Sequence, residues 1–189
     1  LMGLPPPLVA IQILMVNLVT DGLPALALGV DPPEKGLMDM PPRDVHTGII
    51  SRSVLIRLSV VGLLVAVSTL ASFTTFYDRA NHEGTIMLAE TGAFLTMCLG
   101  ELWRSLSNRS ERLSSFQMSL FSNKRLIQAI GASLVIVALV MIIPAVRVNV
   151  FEMVMPNLTQ WLIILGFSLI PFTGAELLKI LKIAPPDER

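Results

Sequence analysis

Apolar residues are grouped along this 189-residue chain into five long runs, separated by shorter polar stretches. The runs cover residues 8–28, 53–77, 86–106, 126–143 and 157–181. A helix that crosses a bilayer needs about 20 residues, at a rise of about 1.5 Å per residue. The pattern therefore predicts an all-α membrane protein, with one domain over residues 1–189 that contains a bundle of five transmembrane helices.

The first run carries polar residues in its middle, within the stretch VNLVTDGLPALALG at residues 16–29. On a helix, Asn17 and Asp21 share one face because they are four residues apart, and Thr20 lies at its edge. Their amide, hydroxyl and carboxylate oxygens are the ligands that hard cations prefer. A charged Asp at bilayer depth costs about 2.5–3.5 kcal/mol, so Asp21 is expected to face the bundle interior and to have a partner there.

The same stretch also contains helix breakers, because Gly22 and Pro24 follow Asp21 directly. We expect the helix to unwind or kink between Thr20 and Ala25, since Pro24 lacks an amide hydrogen and clashes with the carbonyl of Thr20. Interrupted helices at membrane depth are a recurring way to build ion sites. The alternative is a structural Asp21 that bonds to a neighbouring helix beside a simple kink.

The composition agrees with a membrane protein, since 53% of the residues are hydrophobic and only 15% are charged, against about 25% in soluble domains. Fourteen basic and fourteen acidic residues cancel, so the net charge gives no reason to expect a nucleic-acid partner. The single Cys98 excludes an internal disulfide. No phosphate-binding Gly-rich loop is present, and the longest polar segment, residues 30–52, is too short for a nucleotide domain.

The basic residues predict the orientation in the membrane, because cytoplasmic loops are enriched in Lys and Arg. Of the fourteen, all except Arg79 and Arg147 fall on one side of the five predicted spans. This side is expected to be cytoplasmic, with the N-terminus outside and the C-terminus inside. The chain begins with Leu1 rather than Met, so we expect it to be part of a longer polypeptide.

The stretch NLVTDGLPALALG resembles the sixth transmembrane helix of P-type calcium-transporting ATPases, of the sarcoplasmic-reticulum and bacterial type. Weaker resemblances follow in DPPEKGLMDMPPR at 31–43, ELWRSLSNRSE at 101–111 and NLTQWL at 157–162. The resemblance covers essentially the whole chain. It implies that the five helices correspond to the last five of a ten-helix pump.

The resemblance also implies a metal site. Asn17, Thr20 and Asp21 match the family's cation ligands, and Asp21 is the ligand shared between sites in two-ion pumps. Sodium–potassium pumps have Asp at the position of Asn17, which favours calcium here. Cys98 stands where two-ion pumps have a Glu, which favours a one-ion pump.

Glu101 is a further candidate metal ligand, because it follows Cys98 by about one helical turn. It either reaches the same cavity or lies at the cytoplasmic interface near Arg104. Nearer the end of the chain, Glu176 and Lys179 are expected to form an ordinary surface pair, since they are three residues apart on the last span.

The function implied is that of the C-terminal membrane domain of an ATP-driven pump for Ca²⁺, or for Mn²⁺ or another divalent cation that the same oxygens fit. The phosphorylation motif Asp-Lys-Thr-Gly-Thr is absent, so ATP and Mg²⁺ would act only through upstream domains, and this chain alone should have no ATPase activity. The resemblance implies that phosphorylation from ATP needs the bound ion, whereas phosphorylation from inorganic phosphate uses the ion-free state.

The expected partners are the upstream transmembrane helices and cytoplasmic domains of the same pump, together with the lipid of a bacterial plasma membrane. The proline-stiffened segment 30–52 is the expected contact with the cytoplasmic domains, because it continues directly from the ligand helix. The residues themselves leave two alternative functions open. One is a non-catalytic or degenerate five-helix scaffold without transport activity, and the other is a passive or secondary cation transporter that uses Asp21.

Overall fold

The computed structural model describes residues 5–32, 52–110, 113–118, 122–181 and 183. Within these residues the chain is helical and contains no strand. Its elements are α1 (Ala10–Met15), a π-helical turn (Val16–Asp21), α2 (Gly22–Leu28), α3 (Arg52–Phe76), a 3₁₀ turn (Arg79–Asn81), α4 (His82–Ser107), α5 (Lys124–Ile142), α6 (Pro144–Asn149) and α7 (Leu158–Ile180).

Among the described residues, five helical segments are long and apolar enough to cross a membrane, which confirms the predicted all-α class with five spans. They are Ala10–Leu28, Arg52–Phe76, Arg79–Ser107, Lys124–Ile142 and Leu158–Ile180. Helices α2, α4 and α7 end, and α3 and α5 begin, at the same end of the bundle. This end holds most of the basic residues that the structure describes, and it is called the basic end below. Most of the segment 30–52 lies outside the described residues.

Two features differ from the sequence expectation. The third span begins at Arg79 rather than at residue 86. Its first turn, Arg79–Asn81, is capped by the side chain of Asp78, which accepts a hydrogen bond from the amide of Ala80 at 2.9 Å. The short helix α6 was not expected. It starts with Pro144, which is favoured at the first position of a helix because no intrahelical amide bond is needed there.

Helix α4 is the centre of the bundle. In the most apolar stretch of the α4 span, 67% is buried, against 11% in the corresponding stretch of α3, so α3 faces mainly outward. The core residues Phe94 and Leu95 of α4 pack within one hydrophobic cluster, whose buried members come from every other span except α3, while the partly buried Phe76 of α3 packs against it. Its other buried members are Met15, Val16, Cys98, Leu99, Val137, Val140, Met141, Phe151, Met153 and Ile164.

Helices α3 and α4 approach each other closely through small residues, as is common where lipid gives no hydrophobic driving force between helices. A Cβ added to Gly92 would lie 2.6 Å from the ring of Phe76, so only glycine fits there without a shift. Close by, the hydroxyl of Thr96 donates to that of Ser72 at 2.8 Å. Helix α7 packs against both and completes a three-helix group.

The first span packs on the other side of α4, together with α5. Its beginning is fixed by Gln12, whose fully buried side chain donates from Nε2 to the carbonyl of Phe151 at 3.0 Å. At the basic end, Asn123 donates from Nδ2 to the carbonyl of Ala27 at 3.1 Å. The first span is therefore held at both ends by residues that follow α4 in the chain.

An ion pair also joins the end of the first span to the segment after α4. Arg109 donates to both carboxylate oxygens of Asp31, at 2.9 and 3.1 Å, and the two side chains are only 6% and 15% exposed. Because the pair is bidentate and partly buried, we expect a coupling free energy of about 0.5–3 kcal/mol in a double-mutant cycle of Asp31→Asn and Arg109→Gln.

The measurement is chemical unfolding of the protein in detergent micelles, followed by the loss of helical signal. The matched control pairs Asp31→Asn with Arg125→Gln, which removes an exposed basic residue from the same end of the bundle. The control pair should be additive. Equal coupling in both cycles would contradict a specific Asp31–Arg109 contact.

Candidate cation site

The helix that carries the predicted ligands is interrupted, but not in the expected way. Residues Val16–Asp21 form a π-helical turn, in which the amide of Gly22 donates to the carbonyl of Asn17 five residues back. An unwinding or kink was expected between Thr20 and Ala25; the interruption instead covers Val16–Asp21, and no unwinding follows Asp21, because regular helix α2 resumes at Gly22. Pro24 lies in the first turn of α2, where a missing amide removes no bond of that helix.

The π turn explains how the chain accommodates its proline. With a five-residue spacing, the partner of the Val19 carbonyl would be residue 24, a proline without an amide hydrogen. The hydroxyl of Ser133 on α5 donates to this carbonyl instead, at 2.7 Å. The hydroxyl of Thr20 donates to the carbonyl of Val16 at 2.9 Å. Turns of this kind occur frequently at functional sites.

The three predicted ligands on the first span do not share one environment. Thr20 is buried, with 1% of its surface exposed, whereas Asn17 and Asp21 are exposed on the described structure. Within the described part of the chain, no hydrogen bond or ion pair involves the carboxylate of Asp21. The described residues therefore do not supply the neighbouring-helix bond that a purely structural Asp21 would need.

Asp21 and Glu101 line the same cleft, which lies between α2 and α4 and has a volume of about 340 Å³. Thr20 also lines it, so three of the four predicted metal ligands meet here, while Asn17 lies outside the lining. The remaining lining residues are Pro24, Ala25, Leu28, Arg104, Ser105 and Asn108.

Glu101 lines the cleft and is also paired with Arg104. Its carboxylate borders the cleft and also accepts from Nη1 of Arg104 through both oxygens, at 2.8 and 2.9 Å. Cys98, one helical turn earlier, is fully buried and packs in the same hydrophobic cluster as Met15 and Val16 of the first span. Cys98 thus faces the first span, at the position where the resemblance implies a Glu in two-ion pumps.

The cleft offers part of a cation site. Calcium takes six to eight oxygen ligands. The four candidate side chains reach six only if both carboxylates bind through both oxygens, and both oxygens of Glu101 accept from Arg104. Among the described residues, no group of three or more His, Cys, Asp or Glu side chains is placed to hold a metal ion. The assignment of Asn17, Thr20, Asp21 and Glu101 as ligands stays a prediction.

A carboxylate that the sequence placed at the surface is instead buried at the basic end. Glu176 of α7 is 3% exposed and accepts hydrogen bonds from the hydroxyls of Ser107 (2.5 Å), Ser114 (2.6 Å) and Ser115 (2.9 Å), from the amide of Ser115 (2.9 Å) and from Lys179 (3.2 Å). Lys179 also donates to the carbonyl of Ser107. The expectation of an ordinary surface pair is wrong. The sequence signal was the serine-rich segment after α4, whose hydroxyls need acceptors.

A family model described as "Cation transporting ATPase, C-terminus" matches residues 5–181. The chain belongs to this family. The resemblance carried by the stretch NLVTDGLPALALG is thereby confirmed, and the five spans are those of the C-terminal region of a cation-transporting ATPase.

Three relatives agree with this assignment. The chain is 39% identical over 171 residues to a calcium-transporting ATPase of Bacillus subtilis, with 90% of this chain and 19% of the relative covered. It is 32% identical to calcium-transporting ATPase 1 of Bacillus cereus, with 96% of this chain and 22% of the relative covered. It is 30% identical to calcium-transporting ATPase type 2C member 1 of Pongo abelii, with 95% and 19% covered. The chain thus spans about a fifth of the length of these relatives.

Proposed function

We propose that this chain is the C-terminal membrane domain of an ATP-driven calcium pump and that it supplies part of the intramembrane cation site. The observation that carries the proposal is the carboxylate of Asp21. It lies at the end of a π-helical turn, has no hydrogen-bond or ion-pair partner among the described residues and borders a cleft that it shares with Glu101. The names of the relatives, which are calcium-transporting ATPases, support calcium as the transported ion.

Each candidate ligand has a distinct role in this proposal. Asp21 supplies the full negative charge, and Asn17 supplies an amide oxygen one turn away. The Thr20 hydroxyl gives its hydrogen to Val16, so its lone pairs remain for the cation or for the Cys98 thiol. Glu101 contributes only when its carboxylate turns from Arg104 toward the cleft.

The remaining ligands would come from upstream helices of the same pump, which would cover the exposed face of Asn17 and Asp21. ATP and Mg²⁺ would act in upstream cytoplasmic domains, with the segment 30–52 as their contact. The basic end would face the cytoplasm, with the N-terminus outside and the C-terminus inside a bacterial plasma membrane. Cys98, which replaces a Glu of two-ion pumps, supports transport of one ion per cycle.

The test is ATP-dependent uptake of radioactive calcium into inside-out vesicles from cells that produce the full-length protein carrying this chain. We expect uptake that needs ATP and that Mn²⁺ inhibits by competition. ATP-independent uptake would instead support a secondary transporter. Absence of both calcium and manganese uptake, with the protein present and folded, would support the alternative of a five-helix scaffold, in which the unpartnered Asp21 has no role.

We also expect this chain alone to bind divalent cations only weakly. Asn17, Thr20 and Asp21 give three or four oxygens, and Glu101 is expected to add one more, whereas a calcium site takes six to eight. The measurement is calorimetric titration of the purified chain in micelles, after its helical content has been verified. The weak binding that remains should fall further in Asp21→Asn. A submicromolar dissociation constant would show that the ligands lie elsewhere.

A further inference from the structure

The segment that follows α4 turns back along α7 at the basic end. Ser114 and Ser115 bind Glu176 through their hydroxyls. The ring of the next residue, Phe116, lies against the ring of Phe172, with 6.1 Å between the two centroids. Glu176 and Phe172 are four residues apart and therefore share one face of α7. The segment thus follows this face inward, away from the end of the bundle.

The position of Phe172 along α7 gives the depth that the ring of Phe116 reaches. Helix α7 has 23 residues and ends at Ile180, so it is about 35 Å long, only slightly longer than the hydrocarbon core of about 30 Å. Phe172 precedes Ile180 by eight residues, which corresponds to about 12 Å along the helix axis. A ring in contact with Phe172 therefore lies at the depth of the acyl chains.

Phe116 is also 77% exposed among the described residues, although it is a large apolar side chain. We propose that the turn formed by residues 114–117 dips into the bilayer at the basic end and that the ring of Phe116 inserts between lipid acyl chains. The proposal depends neither on the ion that the protein transports nor on the side of the membrane that the basic end faces.

The backbone of the turn is suited to a medium without water. Irregular backbone at membrane depth is tolerated only where protein shields it and its polar groups are bonded. Ser114 and Ser115 are both buried. Every amide of residues 113–117 donates a hydrogen bond, and the acceptors are in order the Ser110 hydroxyl (2.9 Å), Gln117 Oε1 (3.2 Å), the Glu176 carboxylate (2.9 Å), the Ser114 hydroxyl (3.3 Å) and the Ser114 carbonyl (2.9 Å).

The surface of α7 beside the ring favours lipid as the partner. Leu165, Leu169 and Phe172 recur at a spacing of four and three residues, so they form one apolar stripe. Both leucines are exposed, and only 22% of the most apolar stretch of α7 is buried. Phe116 continues this stripe toward the basic end. Whatever covers the stripe therefore also meets the ring, and for the exposed apolar side of a membrane span we commit to lipid.

The experiment is photocrosslinking of the full-length protein that carries this chain, in phosphatidylcholine vesicles, with the substitution Phe116→benzoylphenylalanine. Mass spectrometry of the irradiated protein identifies what is attached at this position. We expect a lipid adduct as abundant as that of Leu162→benzoylphenylalanine, which places the same group at an exposed position within α7. The matched control Lys124→benzoylphenylalanine, at the exposed start of α5, should give several times less lipid adduct.

A second variant avoids the bulkier side chain. In membrane fragments open on both sides, Phe116→Cys should react several times more slowly with a sulfonated maleimide than Lys124→Cys does, because a charged reagent does not enter the acyl-chain region. Labelling is counted as the increase over the unsubstituted protein, and unfolding in detergent should remove the difference.

Thermal unfolding verifies that each variant is folded. Crosslinks from position 116 to another part of the protein would overturn the proposal, because protein rather than lipid would then cover the ring. A lipid yield and a maleimide rate at position 116 equal to those at position 124 would overturn it as well, because the turn would then lie in water.

Discussion

Replacement of Asp21 by Asn in the full-length pump should abolish ATP-dependent calcium uptake while the protein remains folded. The change is nearly isosteric and removes a charge that is costly at bilayer depth, so stability should not fall. The site, however, loses a full negative charge against a divalent ion. Asn keeps one oxygen and replaces the other with an amide donor, which repels the cation.

Uptake and phosphorylation should be measured on one membrane preparation, together with expression. Calcium-dependent phosphorylation from ATP should disappear with uptake, whereas phosphorylation from inorganic phosphate should persist, because the resemblance implies that it uses the ion-free state. Glu83→Gln is the matched control, since it removes a carboxylate from an exposed position at the other end of α4. Normal calcium uptake per folded Asp21→Asn molecule would contradict the ligand assignment.

The spans could be predicted from the sequence because their signal is local. A run of apolar residues long enough to cross a bilayer has few alternatives to a helix, since every backbone polar group must find a partner inside the segment. The grouping of Thr20 and Asp21 next to helix breakers was likewise visible in a few adjacent residues. Their common cleft with Glu101 depended on the packing of α2 against α4, which local pattern does not give.

The features that were missed depend on residues far apart in the chain. The π turn is stabilised by the hydroxyl of Ser133, which lies 114 residues after the carbonyl of Val19 that it reaches. Burial of Glu176 depends on Ser114, 62 residues earlier. Periodicity along one helix shows neither contact. The sequence therefore predicted unwinding at Pro24 and a solvent-exposed carboxylate at Glu176.

Glu176→Ala should destabilise the protein by about 3–5 kcal/mol, the cost of removing one partner from a buried ion pair. Lys179, whose side chain is 8% exposed, would lose its carboxylate, and the hydroxyls of Ser107, Ser114 and Ser115 would lose their acceptor. Glu176→Gln should destabilise the protein less than Glu176→Ala, because Gln keeps the side-chain volume and one acceptor oxygen. The measurement is denaturant unfolding of the protein in micelles.

The neighbouring Leu177→Ala is the matched control, because it truncates an exposed side chain of the same helix and should change stability by about 0.5 kcal/mol or less. The order of stability should therefore be Leu177→Ala, then Glu176→Gln, then Glu176→Ala. Equal stability of Glu176→Ala and the control would show that the serine hydroxyls find other acceptors and that the carboxylate is not needed.

The loss of stability in Glu176→Ala should also affect helices other than α7, because the segment after α4 that Glu176 binds also makes contacts with the first span. Arg109 of this segment binds Asp31, and Asn123 binds the carbonyl of Ala27, both at the end of the ligand helix. In Glu176→Ala, protease cleavage between residues 108 and 123 should become faster, and amide exchange in α2 should follow it. Faster cleavage with unchanged amide exchange in α2 would show that Glu176 stabilises only the packing of α7. The Asp31 and Asn123 contacts would then hold the first span independently of Glu176.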